Sequence, residues 1–125
     1  MAHPSDQLPA LRERMSAALT RAMKTRDRVA VSALRSTLGA LANAEAVGVA
    51  TSVAAVGSQD FAGSSSGVGS SEVVRRTLAD HETAELVLAE AVEREDAAEG
   101  YDAAGQSSRA EQLRAEATVI RSFLA

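Results

Sequence analysis

The sequence contains no cysteine and no tryptophan, and its 125 residues include one tyrosine and two phenylalanines. The absence of cysteine excludes disulfides, zinc–thiolate centres and thiol chemistry. With so few aromatic side chains, a core must be built from leucine, valine, methionine and above all alanine, which buries less apolar area per residue. We therefore expect a monomer of modest stability, which a partner or a homodimer would raise.

Long apolar runs are also missing. No segment approaches the roughly 18 apolar residues that a membrane span requires. The opening residues Met-Ala-His-Pro-Ser-Asp lack the basic start and apolar stretch of a signal peptide. These absences favour a cytoplasmic location without membrane attachment. The length fits one domain, which we place at residues 7–125 behind a flexible tail at residues 1–6.

Apolar residues in the first third recur every three or four positions, the period of one face of an α-helix. They are Leu8, Leu11, Met15, Leu19 and Ala22, followed by Val31, Leu34, Leu38 and Leu41. This pattern predicts a helix from about Gln7 to Thr25, capped by Ser5 or Asp6, and a second helix, capped by Asp27, to about Ala46. The short join at Arg26 favours a hairpin over one kinked helix.

The helical pattern stops at about Val47, and glycine and serine dominate up to Ser71. This composition is typical of a flexible loop. A glycine-rich loop can also bind phosphate, but the segment contains no G-x-x-x-x-G-K-[ST] motif, and no lysine follows Lys24. We therefore predict a flexible loop at 47–71 with no nucleotide or other cofactor bound to it.

Two further helices are predicted in the second half, from about Asp80 to Ala104 and from about Ser108 to Phe123, with Gly105 ending the first. Their apolar faces are Ala84, Leu88, Ala91, Ala98 and Tyr101, and then Leu113, Ala117, Ile120 and Leu124. Four amphipathic helices in two hairpins bury their apolar faces most simply in a bundle. We therefore predict an all-α fold with a Gly/Ser-rich central loop.

Residues that could carry chemistry are few. His81 and Glu85 stand four positions apart, but the second histidine of a zinc-binding helix is missing, so we predict no metal site. Nine carboxylates lie between Asp80 and Asp102, among them Glu90, Glu93 and Glu95. Such a density can bind a cation, although it more often forms a solvated helix face. No combination of residues supports nucleophilic catalysis, so no catalytic residue is predicted.

The charge is unevenly spread. Residues 1–46 carry seven basic and four acidic side chains, whereas residues 47–125 carry six basic and thirteen acidic ones. A basic hairpin docked beside an acidic one is the simpler interpretation, with Arg35 pairing with Glu90. In the alternative, Arg14, Arg21, Lys24 and Arg28 neutralise RNA phosphates. The pI of 5.2 argues against a dedicated nucleic-acid binder, and no DNA binding is expected.

A series of short motifs resembles the GatB/YqeY family of helical domains. The matching residues are Ala22-Met23-Lys24, Asp27, Leu34-Arg35, Asn43-Ala44-Glu45, Arg94, Tyr101, Ala103-Ala104-Gly105, Glu111 and Glu116. The resemblance implies a helical cytoplasmic protein similar to the C-terminal region of the B subunit of the glutamine-dependent amidotransferase. That region faces tRNA and lies away from the chemical step. Expected partners are then tRNA or amidotransferase subunits.

Family members usually continue into a second small helical domain, which this sequence is expected to lack because it stops at Phe123-Leu124-Ala125. The family is associated with carbon–nitrogen ligase activity that uses glutamine as amido donor, but the resemblance implies an accessory role without a catalytic site of its own. The alternative function is a helical protein–protein adapter or dimerisation module with no RNA role.

Overall fold

The computed structural model describes residues 10–59 and 79–125, with side chains described for 10–47 and 79–125. Four helices make up the described chain: α1 (Leu11–Thr25), α2 (Arg28–Gln59), α3 (Asp80–Ala103) and α4 (Ser107–Arg121). The described residues contain no strand. Helix α3 packs most extensively on α4, α1 packs on α2, and α2 also contacts α4. The predicted all-α fold is confirmed, and the helices form two hairpins packed together as a small bundle.

The helix boundaries differ from the prediction at two places. Helix α1 begins at Leu11 with Ala10 as the N-cap residue, so the predicted start near Gln7 is wrong, and the tail at residues 1–6 lies outside the described residues. Helix α2 continues to Gln59, so residues 47–59 of the predicted loop are helical and the rest of that loop lies outside the described residues. This stretch contains only Gly48 and Gly57 among many alanines and valines, and alanine favours the helix enough to offset two glycines.

The first hairpin, formed by α1 and α2, turns at Arg26 and Asp27. Arg26 adopts a left-handed backbone conformation with φ 60° and ψ 38°. The Asp27 N–H donates to the Ala22 carbonyl at 2.9 Å, which satisfies the end of α1 in the manner of a Schellman motif. Asp27 Oδ1 accepts a hydrogen bond from the Ala30 N–H at 3.1 Å. The predicted hairpin and the predicted Asp27 cap are therefore confirmed.

Replacing Arg26 by glycine is expected to stabilise the protein by about 0.5–1 kcal/mol, because glycine adopts positive φ without the steric cost of a Cβ. Gly105 ends α3 with φ 78° and provides the opposite test, since Gly105→Ala is expected to destabilise by about 1 kcal/mol. Urea denaturation of both variants measures the two effects. Changes of the same sign in both variants would contradict the assignment of these turns.

The core lies where the two hairpins meet, and its fully buried side chains come from all four helices. They are Met15 of α1, Ala33, Leu34, Thr37 and Leu41 of α2, Val87 and Ala91 of α3, and Ala117 and Ile120 of α4. Leu11, Leu19, Val31 and Leu38 are only partly buried and pack against this cluster. The apolar period therefore places the inward faces of α1, α2 and α4 correctly. Alanines supply several of the fully buried side chains between the helices.

The inward face of α3 differs from the prediction. Thr83, Val87, Ala91 and Ala98 are buried, whereas Leu88 and Val92 are 40% and 38% exposed. The predicted face had placed Leu88 in the core, which is wrong. The helix is rotated because Glu90 and Arg94 also occupy its inward side, where they pair with each other and with α4.

Gly39 lies inside α2, where it is exposed and a Cβ built there would meet nothing within 4 Å. We therefore expect Gly39→Ala to raise the free energy of unfolding by up to about 1 kcal/mol, since alanine is the better helix former. Chemical denaturation checks this expectation. A loss of stability would instead mean that the position is packed against another segment of the chain.

Candidate functional site

Three of the four predicted RNA-binding residues lie open to solvent on the first hairpin. Arg21 and Lys24 are exposed on the last two turns of α1, and Arg28 is exposed at the first position of α2. None of the three forms an ion pair with a carboxylate of the described residues. We call these three side chains the basic surface. Their charges are available to an anionic partner.

Arg14, the fourth candidate, has a different environment. Its side chain is partly buried, and Nη1 donates to the backbone carbonyl of Phe123 at 3.4 Å. Residue 14 lies near the start of the described chain and residue 123 near its end, so this contact joins α1 to the segment after α4. Arg14 therefore contributes to holding the bundle together and lies apart from the basic surface.

The side of the hairpin next to the turn contains an open groove of about 740 Å³. We call it the turn groove. Its lining residues are Met23, Arg26, Arg28, Val31, Ser32, Arg35 and Ser36. The lining thus contains three guanidinium groups, two hydroxyl groups and two apolar side chains, and none of the lining residues is acidic. Arg26, Arg28 and Arg35 have no ion-pair partner among the described residues.

Sequence reasoning missed this groove because it treated Arg26 as a linker residue and assigned Arg35 to a different contact. The signal was present in the string Arg26-Asp27-Arg28, whose central residue caps α2 and so fixes an arginine on each side of a tight turn. Arg35 is two helical turns beyond Arg28 on the same side of α2. A helical hairpin with this sequence therefore concentrates positive charge at its turn.

A group of charged side chains, Glu90, Arg94 and Glu116, is enclosed between the helices of the second hairpin (α3 and α4), and we call it the internal triad. Arg94 Nε donates to Glu116 Oε1 at 3.0 Å, and Arg94 Nη1 donates to Glu90 Oε1 at 3.1 Å. The Arg94 and Glu116 side chains are only 11% and 6% exposed. One guanidinium thus serves two carboxylates, which leaves a net charge of −1, and the buried charges are hydrogen-bonded, as buried ions require.

The internal triad also reaches the first hairpin. Ser32 Oγ of α2 donates to Glu116 Oε2 at 3.2 Å, and Gln112 Nε2 donates to the same oxygen at 3.3 Å. Both oxygens of Glu116 are therefore satisfied, and a single carboxylate connects α2, α3 and α4. Since Ser32 also lines the turn groove, the internal triad lies directly behind one wall of that groove.

Arg35 was predicted to pair with Glu90, and the structure places the two residues differently. Glu90 accepts from Arg94, while the exposed Arg35 lines the turn groove and makes no hydrogen bond or ion pair to the described residues. The residue of α2 that bonds to the internal triad is Ser32, one helical turn earlier, and its partner is Glu116 of α4. The period of α2 alone could not distinguish these neighbouring positions.

Charge attraction between the hairpins was the simpler interpretation of the uneven charge. Each ion pair whose two partners the structure describes instead joins residues of one hairpin: Arg12 with Glu45, Arg94 with Glu90 and Glu116, Arg114 with Asp102, and Arg121 with Glu95. The hairpins are held to each other by the apolar core and by neutral–charged hydrogen bonds such as Ser32 to Glu116.

Arg121 binds Glu95 on the surface through two hydrogen bonds, Nε to Oε2 at 2.7 Å and Nη2 to Oε1 at 2.9 Å. The hydrogen bonding and positive charge of Arg121 lower the pKa of Glu95. A carboxylate with a lowered folded-state pKa stabilises the fold above its unfolded-state pKa, and this contribution is lost as the pH falls through the folded-state value.

We therefore expect Arg121→Gln to raise the Glu95 pKa toward the ordinary glutamate value. The change should be largest at low ionic strength, because salt screens exposed charges. Carboxyl-carbon NMR titration of both proteins measures the shift. An unchanged Glu95 titration in the variant would contradict a bidentate pair in solution.

The remaining candidates for chemistry do not converge. His81 and Glu85 are exposed in the first turns of α3, and no group of three metal-binding side chains is brought together within residues 10–47 and 79–125. Within the described chain, none of the helices is both long and apolar enough to cross a membrane. Tyr101 is partly buried beside α4, with the Arg109 guanidinium 5.8 Å above its ring.

Comparison of the chain with family models, with curated proteins and with solved structures finds no match. The resemblance to GatB/YqeY proteins therefore rests on the quoted residues alone. In the structure, several of them have defined structural roles: Arg94 and Glu116 form the centre of the internal triad, Gly105 ends α3 in a left-handed conformation, and Asp27 caps α2. Glu111 is exposed on α4. The open positive charge of the first hairpin is the feature that bears on function.

Proposed function

We propose that this protein binds structured RNA through the basic surface and acts as a non-catalytic accessory of tRNA-dependent amidation. The observation that carries the RNA contact is the exposure of Arg21, Lys24 and Arg28 without carboxylate partners among the described residues. Lysine and arginine side chains in this state can displace counterions from a phosphate backbone. The resemblance to the GatB/YqeY family supplies tRNA, or an amidotransferase that holds tRNA, as the partner.

The uneven charge supports the same proposal. The ion pairs of the described chain leave Arg21, Lys24 and Arg28 of the first hairpin without a carboxylate partner among the described residues, although the chain as a whole carries a net charge of −4. An RNA molecule would therefore meet attraction on one hairpin and repulsion on the carboxylates of the other. Such an arrangement favours one orientation of the bound RNA.

Fluorescence anisotropy with a labelled tRNA transcript tests the RNA contact. We expect affinity to fall steeply between 50 and 200 mM salt, and the triple variant Arg21→Gln/Lys24→Gln/Arg28→Gln to reduce the slope of log K against log salt by about 2–3. The matched control is Arg109→Gln/Arg114→Gln/Arg121→Gln, which changes the net charge equally on the second hairpin. Equal losses in both triple variants, or no binding by the wild type, would reject the proposal.

A second candidate function is a protein adapter or homodimer, and the exposed Leu88 and Val92 favour it. These residues are one helical turn apart on α3, and Leu88 lies beside Leu124 in a shallow depression of about 460 Å³. Sedimentation of the wild type and of Leu88→Gln over a hundredfold range of concentration tests this function. Concentration-dependent association that the substitution abolishes, in a protein without RNA affinity, would favour the adapter.

A further inference from the structure

We propose that the turn groove is a binding site for a single nucleotide, which holds the phosphate with Arg26, Arg28 and Arg35 and places the base against Met23 and Val31. That the nucleotide belongs to an RNA strand rests on the proposed function. That the groove binds a nucleotide rests on the residues that line the groove. The basic surface attracts RNA at long range, whereas the groove would hold one unit of the strand.

The charge of the groove selects the class of ligand. Three arginines line it, no lining residue is acidic, and none of the three guanidinium groups is paired with a carboxylate of the described chain. Asp27, between Arg26 and Arg28 in sequence, keeps its negative charge while its Oδ1 caps α2, and Glu116 is paired with Arg94. Guanidinium groups bind phosphate oxygens through pairs of parallel hydrogen bonds, so a phosphate is the anion that this set fits best.

The two serine hydroxyl groups that line the groove, those of Ser32 and Ser36, differ in whether they are free to donate to a phosphate. Ser32 Oγ donates its proton to Glu116 and so cannot donate it to a ligand at the same time. Ser36 lies one turn later on the same groove wall, and its hydroxyl has no hydrogen-bond partner among the described residues. Ser36 is therefore the neutral donor available to a phosphate oxygen beside Arg35.

The apolar lining distinguishes a nucleotide from a simple inorganic anion. Met23 is exposed on α1 despite its long apolar side chain, and the partly buried Val31 of α2 lines the same groove. Methionine is flexible and polarisable and adapts to flat ligands. The volume of about 740 Å³ lies in the range of small-molecule sites. A groove whose lining includes both guanidinium groups and apolar side chains matches a phosphate joined to a base.

NMR titration of the full chain, isotope-labelled at methyl and amide groups, tests the site with three probes: adenosine 5′-monophosphate, adenosine, and a six-nucleotide oligoadenylate. We expect the monophosphate to shift the Met23 methyl and Ser36 amide signals, and adenosine at the same concentration to leave them in place. Arg35→Gln is expected to weaken the monophosphate about tenfold, the loss of one charge-assisted contact. Arg109→Gln is the matched control and should bind within twofold of the wild type.

Equal shifts with adenosine and its monophosphate, or an Arg35→Gln variant that binds as well as the control, would overturn the nucleotide site. Arg28→Gln provides a second variant should Arg35→Gln lose its helical signal. If tRNA binds but neither the monophosphate nor the oligonucleotide shifts the groove, the site is rejected and the proposed function stands. If the monophosphate binds and neither RNA does, the groove takes a free nucleotide and the proposed function fails.

Discussion

Replacing Arg94 by alanine is expected to lower the free energy of unfolding by about 3 kcal/mol. The substitution removes the shared partner of Glu90 and Glu116 and leaves the Glu116 carboxylate, 6% exposed, without a compensating cation. Breaking a buried pair by removing one partner typically costs 3–5 kcal/mol, and the partial exposure of the Glu90 side chain, which can hydrate, places the expectation at the lower end. Urea denaturation followed by circular dichroism measures the change.

The control for Arg94 is Arg114→Ala, which removes an exposed arginine from its pair with Asp102 at 2.6 Å. Surface pairs contribute about 0–1 kcal/mol, so Arg114→Ala should have a much smaller effect. The double variant Arg94→Leu/Glu116→Leu separates the loss of the Arg94 side chain from the cost of leaving the Glu116 charge uncompensated. It removes both of these buried charges and fills their space with apolar side chains. We expect it to recover most of the stability that Arg94→Ala loses. If Arg94→Ala were no worse than Arg114→Ala, the internal triad would not be closed in solution.

Leu41→Ala is expected to cost about 2–5 kcal/mol, the range for deleting a fully buried leucine side chain. Leu41 has no exposed surface and lies in the cluster that contains Met15, Leu34 and Ile120. Much of the surrounding core is alanine, whose short side chains cannot move into the space that is left. The loss would be a large fraction of the total stability of a domain of this size.

The same denaturation experiment on Leu88→Ala provides the control, because that leucine is on α3 with 40% of its surface exposed. We expect a loss below about 1 kcal/mol there, in proportion to the smaller area removed from water. The dependence of unfolding free energy on urea concentration should stay constant in both variants. Similar losses at both positions would indicate that Leu88 is covered in solution, as the adapter function requires.

The sequence predicts the fold class and the first hairpin well, because Met15, Ala22, Leu34 and Leu41 follow the helical period and Asp27 is a strong cap. On α3 it places Ala91 and Ala98 correctly but fails at Leu88, which is exposed. Hydrophobic periodicity assigns the inward side to the largest apolar residues, and it has no way of recognising that Arg94 turns inward because Glu116 of another helix neutralises it. Arg94 and Glu116 are 22 residues apart in the sequence, so their contact depends on the tertiary structure and not on the local helical pattern.

The candidate site was predicted only in part, for a related reason. Arg21, Lys24 and Arg28 are exposed as predicted, since outward positions follow from the same helical period that defines the core. Arg14 has the same residue type, but its position beside the carbonyl of Phe123 depends on how the segment after α4 crosses α1. The turn groove required Arg26 in a left-handed conformation, which sequence propensity disfavours for arginine.

The contact of Arg14 with Phe123, and the burial of Ile120 against residues of α1 and α2, determine when the protein can fold during its synthesis. The first hairpin is synthesised early, but Ile120 of α4, which packs in the same cluster as Leu41, is encoded some 80 residues later. At about 5–20 residues per second, the interval between the synthesis of Leu41 and that of Ile120 is roughly 4–16 s. For these seconds we expect the apolar face of the first hairpin to lack the cover that α4 later provides.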